Sequence, residues 1–161
     1  MGDDWRKFVT AYRDVYYANP DRASVFPGIK EVLAEVEAAE IPMVVVTSKI
    51  SHGATDELAK TGILRYFHSV VAFDDTDTHK PDPAPILEAL DRLLLDPGDD
   101  VIVVGDSPAD IFAARNAGCR SIGALWGSLD ADLLRDAAPT QLAVAPGDVP
   151  ELILTLAEGA R

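Results

Sequence analysis

The sequence predicts an α/β protein built on a doubly wound parallel sheet, three layers deep, with helices on both faces. Three observations carry that expectation. Apolar runs of strand length alternate with amphipathic stretches of helix length, the pattern that gives parallel strands joined by crossover helices. The run Val101-Ile102-Val103-Val104 shows no polar alternation, as strands covered on both faces do. Polar residues able to do chemistry fall just after such runs, on the rim where open α/β sheets hold their ligands.

Residues 3–18 set Trp5, Phe8, Val9, Tyr12, Val15 and Tyr16 at helical spacing with charges between them, which reads as a helix packing on the body of the protein. Asn19-Pro20-Asp21 and Phe26-Pro27-Gly28 interrupt the chain. A helix over about 29–39 follows, then a strand over 42–48 ending in Thr47-Ser48-Lys49. Ser51 is placed to cap a helix over about 52–60, closed by Gly62. Ser69–Phe73 reads as the next strand. Pro81 biases Lys80 toward extended backbone, and Asp82 suits an N-cap before Pro83 at the start of a helix over about 83–95. The strand at 101–104 ends at Gly105, and Pro108 opens a short helix that stops at Gly118. A strand over 121–126, a helix over 130–137, a short strand at 141–144 and a helix from about 149 complete the order.

A chain of 161 residues with 48% apolar and 25% charged content can bury a real core as one domain. Its net charge of −13 argues against a nucleic-acid backbone or an anionic membrane surface as partner. An acidic protein still handles phosphates where a metal and a lysine reverse the field locally. The single Cys119 excludes an internal disulfide and suits a reducing, cytoplasmic setting. No run has the length of a membrane span, and the first residues lack the form of a signal peptide.

The chemistry concentrates at strand ends. Asp106 and Asp110, one helical turn apart after a buried strand, are two hard oxygen ligands of the kind a partly hydrated Mg²⁺ takes. The plainer reading makes them helix caps. Thr47 offers a hydroxyl and Lys80 a cation. Together with the two carboxylates they could bind a phosphoryl group, with hydroxyl and ammonium on its oxygens. Taken singly, Thr47 is a strand-end residue and Lys80 a solvated loop lysine. Their common position just after buried strands is what favours a shared site.

TS at 47–48, HKPDP at 79–83 and GDSPAD at 105–110 resemble the second, third and fourth motifs of haloacid dehalogenase-like (HAD) phosphohydrolases. The resemblance runs from about Phe26 to the C-terminus. It is strongest to the phosphoglycolate phosphatase and PpaX-type pyrophosphatase branch, through VVVTSK at 44–49, the Asp74-Asp75 pair and GCRSIGALWG at 118–127. It implies a Rossmannoid core over 25–161, with 1–24 the remnant of an α-helical cap. It further implies that Thr47 and Ser48 bind phosphate, that Lys80 steadies the phosphoryl charge, and that Asp106 and Asp110 hold Mg²⁺. The implied substrate is a small phosphate ester or pyrophosphate.

The family's first motif is a strand ending in Asp-x-Asp-x-Thr or -Val, which supplies the nucleophile and the general acid/base. No such strand precedes the cap-like stretch here, because Asp3-Asp4 leave no room for one. Asp75-Thr76-Asp77 follows a strand but has His79 where Thr or Val belongs. The expectation is therefore an N-terminally incomplete form that lacks the first core strand, with stand-alone turnover at background. The strands matching 43–47 and 101–105 would then flank a gap whose open edges invite self-association. Two alternatives stay open: a pseudo-phosphatase that binds Mg²⁺ and phosphate without turnover, and a subunit whose sheet another chain completes.

Overall fold

The computed structural model describes residues 24–159; the helix expected at 3–18 lies outside them. The elements follow in order. Helix α1 (Ile29–Ala38) leads to strand β1 (Val44–Val46) and helix α2 (Ser51–Lys60). A 3₁₀ turn (Leu64–Tyr66) precedes β2 (Ser69–Val71), and a second 3₁₀ turn (Phe73–Asp75) precedes α3 (Ala84–Leu93). Then come β3 (Ile102–Gly105), α4 (Pro108–Asn116), β4 (Arg120–Ala124) and α5 (Ala131–Asp136). Strand β5 (Gln141–Ala143), a 3₁₀ turn (Pro146–Asp148) and α6 (Val149–Gly159) finish the fold. Gly62 and Gly118, both at φ 75°, end α2 and α4 in the left-handed conformation that glycine adopts without strain.

All strand pairs are parallel, in two groups. β1 pairs with β2 in the register Val45 to Val70, and β4 lies between β3 and β5, with Val104 opposite Ile122. Among the described residues no ladder joins β1 to β3. Side chains nevertheless hold the two groups in one body. On one face Val32 and Val36 of α1 and Val149 and Leu156 of α6 pack with Ile122, and both Met43 and Ile102 join them. On the other, Ile86 and Leu90 of α3 and Ala113 of α4 meet Val46 from β1 and Val103 from β3. A helix layer on each face of parallel strands is the predicted architecture. A third cluster, Ile111, Leu134 and Ala137, seats α5 beside α4. Among the described residues no helix is long and apolar enough to cross a membrane.

Several expectations need correction. The β1 valines are only half-buried and Val104 is 43% exposed, so these strands are not covered on both faces; among the described residues each has one edge without a neighbour. Ser51 is not a cap but the first residue of α2. Its backbone N–H and hydroxyl instead donate to Asp74 Oδ1 at 2.8 and 2.7 Å. β2 stops at Val71, because Asp75 Oδ2 takes the Ala72 N–H at 2.7 Å and folds the following residues into a 3₁₀ turn. Pro83 sits at the N-cap of α3 rather than inside it. Asp82 still serves that end, accepting from the Ala84 N–H at 2.9 Å.

Candidate active site

Lys80 leaves the segment between β2 and α3 and reaches the rim beyond the strand ends. Its Nζ donates to Asp110 Oδ1 at 2.6 Å and to the Val46 carbonyl of β1 at 3.2 Å. The Lys80 and Asp110 side chains are 13% and 11% exposed, so the pair sits where a charged hydrogen bond is strong and an unpaired charge costly. The other oxygen of Asp110 accepts the Ser107 N–H at 3.1 Å and the Ser107 hydroxyl at 2.7 Å. This is a capping box at the start of α4. The cap weighed from the sequence is thus present, on the same carboxylate that receives the Lys80 ammonium at the rim.

Asp106 follows β3 directly. Burial pushes its carboxyl above the usual carboxylate range, and the charge of Asp110 adds to that. A hydrogen bond from its own backbone N–H and the nearby Lys80 pull the other way. Two glycines make room for the carboxylates. A Cβ on Gly105 would lie 2.2 Å from Asp110 Cβ, and one on Gly127 would lie 2.7 Å from Asp106 Oδ2. The steric role of Gly127 depends on a residue far off in sequence, and no local signal marks it.

Thr47 and Ser48 sit differently. The Thr47 N–H continues the ladder to Val71, and its Oγ1 accepts from the Lys49 N–H at 3.1 Å. The residue lines a cavity of about 340 Å³ over β1, with Phe26, Ile29, Val45, Ala54 and Leu58 among the walls. Ser48 is exposed beside it. The structure therefore gathers Lys80, Asp106 and Asp110 at the rim. It places Thr47 and Ser48 next along the chain from Val46 but gives neither hydroxyl a hydrogen bond to the trio. Asp75 is engaged elsewhere, with Arg92 at 3.4 Å and the Ala72 N–H, which fits a structural role.

The donors suit a hard divalent cation. Two neighbouring carboxylates, one of them disfavoured as an anion by burial and by the other, form a concentration of negative charge that such an ion would relieve. Among the described residues no group of three or more His, Cys, Asp or Glu converges, so an ion on Asp106 and Asp110 would keep water or other oxygens in its remaining positions.

The haloacid dehalogenase-like hydrolase family model matches residues 2–124, most of the chain. The chain belongs to that family. A Caldanaerobacter subterraneus protein provisionally named pyrophosphatase PpaX is 40% identical over 143 residues, covering 85% of this chain and 62% of that protein. A Pectobacterium atrosepticum phosphoglycolate phosphatase is 40% identical over 116 residues, covering 71% and 49%. This HAD-family chain thus spans between about half and two thirds of the length of those relatives. Among solved structures, a haloacid dehalogenase-like hydrolase of Streptococcus pneumoniae superposes with a TM-score of 0.82 at 25% identity, covering 94% of this chain and 71% of that one. A Haemophilus somnus protein, provisionally named phosphoglycolate phosphatase, gives 0.84 at 26%, covering 94% and 68%. The parallel α/β core is therefore the HAD fold.

Proposed function

We propose that this chain carries the phosphoryl-binding part of a Mg²⁺-dependent HAD phosphohydrolase of the cytoplasm, acting on a small phosphate ester or pyrophosphate. The observation that supports this most is the Lys80–Asp110 pair beside Asp106 on the rim, a cation and two carboxylates where the sheet ends. In this reading Asp106 and Asp110 hold the ion, which when bound supplies charge neutralisation at the phosphoryl oxygens. Lys80 neutralises the same group from the side of β1, and Thr47 and Ser48 offer hydroxyl donors once a phosphate bridges the distance. The names of the relatives support phosphoglycolate or pyrophosphate as the substrates to try first.

The attacking carboxylate belongs, in this reading, to a strand lodged between β1 and β3, whose facing edges lack a ladder among the described residues. The test is phosphate release from phosphoglycolate, pyrophosphate and p-nitrophenyl phosphate with Mg²⁺. It compares the chain alone with the chain joined to a strand ending in Asp-x-Asp-Gly-Thr. The chain alone is expected at background and the joined form active. In the joined form Lys80→Met or Asp106→Asn should lower the rate by about 10²-fold or more. Turnover that survives Asp106→Asn would sink the site assignment. Tight binding of Mg²⁺ and phosphate without release in the joined form would instead make the protein a pseudo-phosphatase.

A further inference from the structure

The stretch from Phe73 to His79 lies between β2 and Lys80 and touches both rim segments. Phe73 donates its backbone N–H to the carbonyl of Lys49 at 2.9 Å, the residue that follows Thr47-Ser48. Its neighbour Asp74 holds Ser51 through the two hydrogen bonds that cap α2. The Phe73 ring stacks on the imidazole of His79, with centroids 3.6 Å apart and planes inclined by 28°. His79 immediately precedes Lys80, and its carbonyl accepts the Asp82 N–H at 2.9 Å. Asp82 in turn accepts the Thr78 hydroxyl at 2.8 Å, which closes the loop on itself.

These contacts do little for the core, since Phe73 is 44% exposed. They matter for another reason. A lysine ammonium rides on a flexible four-carbon stem, so its position is only as well defined as the backbone that launches it. Among the described residues no ladder or helix holds that backbone between the 3₁₀ turn at Phe73–Asp75 and α3. Stacking of the two rings supplies contact area at small cost in side-chain freedom, since each side chain has only two rotatable bonds.

We propose that Phe73 and His79 are positioning residues: their stack ties the backbone before Lys80 to the turn after β1, and so sets where the ammonium meets Asp110 and Val46. The function that gives Lys80 its importance rests on the phosphohydrolase reading; the geometry does not. The assignment goes beyond Lys80, Asp106 and Asp110: the stack acts through the backbone that carries Lys80.

The test reads the ammonium directly, by ¹H–¹⁵N spectroscopy of lysine Nζ in the full chain at fixed pH and low temperature. The Lys80 signal is identified by its loss in Lys80→Met. Phe73→Ala and His79→Ala are each expected to speed proton exchange at Lys80 by about tenfold, through easier local opening. The double variant should go no further than either single change, as for two halves of one contact. His79→Phe, which keeps a ring to stack, should restore slow exchange. Thermal unfolding is followed in parallel, and where Phe73→Ala does not fold, the two His79 variants decide the matter alone. Unchanged exchange in the alanine variants overturns the proposal. So does a folded His79→Phe that exchanges as fast as His79→Ala, or a wild-type chain with no protected Lys80 signal. Because no step requires turnover, a chain without phosphatase activity still passes or fails.

Discussion

Asp106 and Asp110 leave one strand end a helical turn apart, and their surroundings give them different energies. Asp110, 8% exposed, has partners for both oxygens, whereas burial and its neighbour's charge push the Asp106 carboxyl up. Ionised Asp106 is therefore a strain on the folded state at neutral pH, and Asp106→Asn should raise the thermal midpoint in chelator. Added Mg²⁺ should raise the wild-type midpoint and leave that of the variant unmoved, as ligand linkage requires. Lys80→Met leaves Asp110 nearly buried without its cation; a loss of about 2–3 kcal/mol in urea unfolding is expected, somewhat under the cost for a wholly buried pair. Gly127→Ala puts a methyl group against Asp106 Oδ2 and should weaken Mg²⁺ binding, measured calorimetrically, by about tenfold. That Lys80, Asp106 and Asp110 meet at one rim could be read from their places after the apolar runs at 69–73 and 101–104. The part played by Gly127 could not, since it depends on which carboxylate folds against it.

At the level of elements, the sequence shows the order of helices and strands better than how they end. Ser51 looked like a cap by type and place, yet the carboxylate that caps α2 is Asp74, from beyond β2. Ala72 and Phe73 looked like strand by apolarity, yet Asp75 turns them aside. In both cases a long-range or side-chain hydrogen bond overrides local preference. The caps also carry a pH dependence. Hydrogen bonds from Ser51 hold Asp74 below the ordinary carboxylate value of 3.8, and those from the Ala84 N–H and Thr78 do the same for Asp82. A depressed folded-state value stabilises above the unfolded one and is lost as pH falls through the folded one. Acid unfolding below about pH 4 should therefore be shallower in Asp74→Asn and Asp82→Asn, followed by circular dichroism. Helix α5, only six residues long, is too short to stand on propensity. It relies on the Asp130 cap and on Leu134, which is fully buried. Leu134→Ala should cost about 3 kcal/mol in denaturant unfolding.

At the scale of the fold, the governing fact is that two parallel groups share cores on both faces while, among the described residues, no ladder joins β1 to β3. The alternation of apolar runs was enough to foresee the layers. The exposure of Val104 was not legible, because burial of a strand depends on neighbours as much as on its own side chains. Backbone amides of β4, flanked on both sides, should be the slowest to exchange with deuterium, and those on the facing edges of β1 and β3 much faster. If the joined form of the chain fills that space, mass spectrometry should show the edge amides slowing toward the β4 rate. The Lys80 ammonium spans the same divide, gripping a carbonyl of β1 on one side and the head of α4 on the other. Whatever anion arrives to share that ammonium will consequently alter the fastening between the protein's two halves. Binding at the rim should thus shift one of the ties between those halves, beside the cores they share, and be measurable as a change in stiffness.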